Sequence, residues 1–97
     1  YPAPEILRMQ AQRKNFVVCQ TVSRGYVSGK ENYTRLEIAG NAVAFEKYGD
    51  VILDKRNNLW TQKFEIHPKD ANKPFNFKVK AVDKRGVRSD EMIYNAE

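Results

Sequence analysis

Cysteine, histidine and tryptophan each occur once in the 97 residues. A lone Cys19 excludes an internal disulfide. It follows Phe16-Val17-Val18, so it is expected to be a buried, inert small hydrophobe rather than a nucleophile, which needs exposure and a cationic neighbourhood. Nothing in the chain brings His67 to it as a catalytic pair. Metal sites draw several His, Cys or carboxylates at set spacing. Here His67 and Asp70 read as a surface pair, and Asp50 and Asp54 as turn residues. The five glycines stand singly at turns, so no glycine-rich loop exists to cradle a phosphate. Glu46, Glu65, Asp83, Asp90 and Glu91 fall at outward or turn positions, which is not a paired-carboxylate site. No apolar run reaches the ~18–20 residues of a membrane span, and no leader or lipidation motif is visible. The expectation is a chain without catalytic residues, metal or cofactor.

The 3.6-residue helical period is missing too, and the two-residue period of a strand takes its place. In Phe75-Asn76-Phe77-Lys78-Val79-Lys80-Ala81 every second residue is apolar, which puts one face on a core and the other in water. Pro74 precedes the run, where its missing N–H does least harm. Asp83-Lys84-Arg85-Gly86 ends it as a turn. This predicts the central strand of a small β-sandwich. Tyr1 to Pro4 reads as an extended linker, and the absence of an initial Met suggests a piece of a larger protein.

Glu5 to Ala11 alternates imperfectly and reads as an edge strand, with Gln10 to Asn15 as a connection. Phe16 to Val22 is rich in β-formers and reads as a strand buried on both faces, broken by Ser23-Arg24-Gly25. Tyr26 to Asn32 reads as a loop, and Asn32-Tyr33-Thr34 matches a glycosylation acceptor. Tyr33 to Gly40 places Thr34, Leu36 and Ile38 inward. Ala42 to Tyr48 is expected to turn Val43 and Phe45 inward and, through Tyr48-Gly49-Asp50, to form a hairpin with Val51-Ile52-Leu53. Leu59 to Ile66 places Trp60, Phe64 and Ile66 on one face, with Gln62 as its polar member. Val87 to Tyr94 is the last strand. About seven strands with turns every 8–12 residues predict an all-β antiparallel sandwich.

The segment from Leu36 to Ser89 resembles the immunoglobulin-like modules of bacterial surface proteins and carbohydrate-active enzymes. The resemblance rests on Gly40-Asn41-Ala42, Tyr48-Gly49, Val51-Ile52-Leu53-Asp54, on Asn57, Asn58 and Trp60, and on Ala81-Val82-Asp83-Lys84-Arg85-Gly86 followed by Ser89. Phe77, Val79 and Ala81 also resemble the late strands of a fibronectin type III domain. The second strand carries no Trp, and the Cys-Trp-Cys set of antibody domains is absent. The resemblance implies one immunoglobulin-like domain over residues 1–97. It would serve as a non-catalytic spacer, docking or protein-contact module of a larger extracytoplasmic protein. The alternative is a carbohydrate-binding accessory module, for which Tyr26, Tyr33 and Tyr48 are the candidate exposed rings.

The formal charge is +5. Lys78 and Lys80 on the central strand, with Lys84, Arg85 and Arg88 at the turn beyond it, are candidate surface-binding residues for an acidic partner or polysaccharide. Glu46, Asp83, Asp90 and Glu91 are the acids that would balance them. Nucleic-acid binding is not expected, because no aromatic is interleaved with the lysines. The balanced, soluble surface is the favoured reading of these charges, and the immunoglobulin-like resemblance implies a protein partner or neighbouring domain.

Overall fold

The computed structural model describes residues 3–13, 16–24, 34–45 and 51–96. Tyr26, Asn32, Tyr33, Glu46, Tyr48, Gly49 and Asp50, with the loop, glycosylation and turn expectations attached to them, lie outside the described residues. Eight strands are present among the described residues: β1 (Glu5–Arg13), β2 (Phe16–Arg24), β3 (Arg35–Gly40), β4 (Ala42–Phe45), β5 (Ile52–Asp54), β6 (Leu59–Pro68), β7 (Phe75–Val82) and β8 (Met92–Ala96). No helix occurs among the described residues. One sheet has the order β1-β2-β6-β4, with β5 also on β6, and the other the order β3-β7-β8. Every pairing between these strands is antiparallel. The two sheets make an all-β sandwich.

The core lies between them. Val17, Cys19, Ala42, Phe64 and Ile66 of the first sheet pack with Phe75, Phe77 and Val79 of the second, and Leu36 and Ile38 lie against this cluster. β7 is the middle strand of its sheet. Phe75, Phe77, Val79 and Ala81 are buried on it, while Asn76 and Lys78 are exposed. On β6 the buried set is Trp60, Gln62, Phe64 and Ile66. β2 is buried from Val17 to Ser23 except at Gln20, which is half-buried, so most of both its faces is covered in its place between β1 and β6.

Five expectations are corrected. β1 does not stop at Ala11. It pairs with β2 as far as Arg13↔Phe16, and its imperfect alternation is taken up by two irregularities, between Ile6 and Arg8 and between Ala11 and Arg13. Each adds one residue to one strand and resets the phase. β2 in turn continues through Ser23 to Arg24, which pairs with Leu59.

The phase of β4 is the reverse of that expected. Ala42 is buried, whereas Val43 is 39% and Phe45 54% exposed. The corner before β4 decides this. Gly40 has φ +125°, and a Cβ there would meet the Asn76 carbonyl oxygen at 2.6 Å. Asn41 N–H donates to that same carbonyl at 3.1 Å, and Asn41 Nδ2 donates to Pro74 O at 3.1 Å. These bonds fix where the chain crosses from one sheet to the other. The core that β4 meets already holds the tilted pair Phe75 and Phe77, 5.2 Å apart, with Tyr94 stacked 5.2 Å from Phe77. Alanines fit beside these rings at native packing density, and the large residues face out.

β4 and β5 do not form a hairpin. β4 pairs with Glu65–Pro68 and β5 with Leu59–Thr61, both along the same edge of β6. They are two lengths of one interrupted edge strand, which raises the count from seven to eight. The hairpin is β5–β6. Asp54 closes it: its Oδ1 accepts from Arg56 N–H at 3.1 Å, and its Oδ2 from Asn57 Nδ2 at 2.8 Å.

The last strand begins at Met92 rather than Val87. Ser89 stands in for a strand partner before it. Its N–H donates to Ala81 O at 2.8 Å, and its Oγ accepts from Ala81 N–H at 2.8 Å.

The molecule measures 43 × 22 × 16 Å. The N-terminal end of β1 adjoins the segment that leads into β8, since Ala3–Ile6 and Arg88–Met92 line one open cleft of about 500 Å³. β1 and β8 therefore run the same way, and the described chain starts at one pole and ends at the other.

Candidate functional site

The basic residues singled out from the sequence do gather on the outer face of the β3-β7-β8 sheet and at the turn beyond it, but in unlike environments. Lys80 is paired across the strands with Glu37. Arg88 donates through Nε to Glu37 Oε1 and through Nη2 to Oε2 at 3.4 Å. The Arg88 guanidinium holds the Glu37 carboxyl below its ordinary range, and Glu37 raises Arg88 in turn. Arg85 is spent inside its own turn. Its Nε and Nη2 donate to Asp83 Oδ2 at 3.0 and 2.6 Å, while Asp83 Oδ1 accepts the N–H groups of Arg85 and Val87 at 2.9 and 3.0 Å. Asp83 is buried and Gly86 has φ +86°, so the carboxylate organises a turn that only the glycine closes without strain.

Lys78 and Lys84 are left exposed. Lys78 lies between Ala39 and Ile93 on the neighbouring strands. Neither Lys78 nor Lys84 takes part in an ion pair among the described residues. Glu37, not among the acids expected to balance the patch, supplies the carboxylate for Arg88. Cross-strand placement of Glu37 against Lys80 is the signal that points to it, and it appears only once the register is known. Tyr48 lies outside the described residues.

A second surface was not anticipated. On the outer face of the β1-β2-β6-β4 sheet the His67 ring stacks on Phe16 at 5.2 Å and 19°, and Phe45 meets it edge-on at 5.0 Å and 88°. The Arg13 guanidinium lies 5.7 Å from the centroid of Phe16. His67 Nε2 is 3.1 Å from Glu65 Oε2. His67 thus sits at the end of β6, paired with Glu65 rather than with Asp70. The expectation that Phe45 pointed inward hid this cluster.

Cys19 is fully buried, and desolvation pushes its thiol up to about 12. Among the described residues no group of three or more His, Cys, Asp or Glu is placed to hold a metal ion. No helix among them is long and apolar enough to cross a membrane. Compared with protein-family models, with curated proteins and with solved structures, the chain finds no match.

Proposed function

We propose that the chain is an immunoglobulin-like module of a larger extracytoplasmic protein, and that it acts by spacing and by surface contact rather than by chemistry. One observation carries this reading. The order β1-β2-β6-β4/β5 facing β3-β7-β8 is compatible with the ABED and CFG sheets of a constant-type immunoglobulin domain, with the fourth strand of the first sheet interrupted. The opposite placement of the two ends of the described chain adds to it, since such a unit can be strung end to end without folding back. A fold of this kind hosts many functions, so the experiment addresses the role itself. Three copies joined head to tail should scatter as a rod that lengthens by about the 43 Å long axis per copy. A particle that stays near the length of one or two copies would overturn the spacer role. In the same samples, saturable amide shifts on one sheet face upon adding neutral oligosaccharides would favour the carbohydrate-binding accessory module instead.

A further inference from the structure

Six of the fifteen outward positions paired on the larger sheet are apolar, and two of the six, Val18 and Val22, are buried. Its outward residues stand in rows across the strands. Val43, His67, Phe16 and Arg13 form the first row, and Phe45, Glu65, Val18 and Gln10 the second. Lys63, Gln20 and Arg8 form the third, and Ile52, Thr61, Val22 and Glu5 the fourth. Phe45 and Ile52 are 54% and 60% exposed on this face.

We propose that this face binds a second copy of the chain across a two-fold axis. The order of charges along β6 carries the argument. An axis lying in the interface, perpendicular to β6 and passing over Phe64, turns the second row of one copy onto the third row of the other. Glu65 of each copy then meets Lys63 of its partner, twice over, as a self-complementary interface requires. The same rotation lays the first row on the fourth. The exposed Val43 comes onto the exposed Ile52, and Arg13 comes toward Glu5, which already pairs with Arg24 at 3.1 Å.

Stacked sheets are rotated by about 30°. That leaves Glu65 over Lys63 beside the axis and moves the first and fourth rows sideways by about one strand. Four strands about 4.8 Å apart, over rows spanning about 25 Å, cover roughly 500 Å² per copy. A standard stable interface buries about 800 Å² per partner, so the pair is weak and reversible. The proposal rests on the reading of the chain as a contact module. Its test is separate from the tandem experiment, because an elongated tandem of unpaired modules would refute this proposal alone.

Sedimentation equilibrium from about 10 μM to about 1 mM spans the range for such an interface. The parent mass should rise toward two copies. Lys63→Glu and Glu65→Lys should each stay monomeric, since each sets like charges across the axis. An equimolar mixture of the two should regain the pair, because one reversed face complements the other. Unchanged far-ultraviolet circular dichroism of each variant checks the fold. Ile52→Lys, at an exposed edge position, should also be monomeric. A parent that is monomeric throughout overturns the proposal. So does a dimer that ignores both charge reversals, or variants that mixing fails to rescue.

Discussion

Gln62 lends its side-chain amide to a backbone that has no strand partner. Thr34, just before β3, donates its N–H to Gln62 Oε1, and its Oγ1 donates to the same oxygen at 2.9 Å. Gln62 Nε2 returns a bond to Thr34 O at 3.4 Å, and Thr21 Oγ1 lies 2.9 Å from Thr34 Oγ1. All three residues are buried. The network ties β6 and β2 of one sheet to the start of the other. Gln62→Leu leaves the Thr34 N–H and C=O without these partners, and each orphaned buried group costs about 1–3 kcal/mol. A loss of about 2–4 kcal/mol in urea unfolding is expected, and a loss under about 0.5 kcal/mol would show that the pairing is dispensable. Cys19 makes a second prediction at this scale. Its folded pKa of about 12 lies above the ordinary 9.0, so the unfolded chain loses the proton first. The contribution to stability is complete below pH 9 and falls as pH rises from there toward 12. The difference in unfolding free energy between the parent and Cys19→Ala should shift over that window and be flat below it. Labelling of the native thiol at the unfolded rate would contradict its burial.

At the scale of the element, β4 is the sharpest case. Its sequence, Ala-Val-Ala-Phe, reads most simply with the large residues inside, and the fold places the small ones there. Ala42→Leu pushes a larger side chain toward Phe75 and Phe77, so overpacking should destabilise by about 1–3 kcal/mol. Val43→Ser changes an exposed position and should cost under about 0.5 kcal/mol. Thermal melts of the two variants decide the phase of the strand, and the opposite ranking would restore the sequence-based phase. β1 shows a milder form of the same problem. A period-two reading assumes an unbroken ladder, and two irregularities break it.

At the scale of the molecule, the pairings that hold the sandwich together are non-local. β2 joins β6 and β3 joins β7 across long stretches of chain, and closing such loops precedes the contacts that reward it. Refolding is therefore expected to take milliseconds to seconds rather than the microseconds of a helical bundle. Stopped-flow fluorescence of Trp60, which is buried on folding, measures it, and a microsecond phase accounting for the whole amplitude would speak against the non-local topology.

The all-β class, the place of β7 at the centre of its sheet, the buried face of β6, the edge position of β1 and the burial of Cys19 are legible in the sequence. Each follows from a local period of two or from the length of an apolar run. The turn at Asp83–Gly86 is legible because a glycine and a carboxylate carry its geometry within five residues. Tertiary structure alone decided the phase of β4, the division of one edge strand into β4 and β5, the late start of β8, and the pairing of Arg88 with Glu37. The physical reason is common to all four. Alternation tells which residues share a face, but not which face meets the core, nor which strand lies alongside. Those follow from the Gly40 corner, from rings that already fill the space, and from cross-strand register, where the groups in contact lie far apart in the chain.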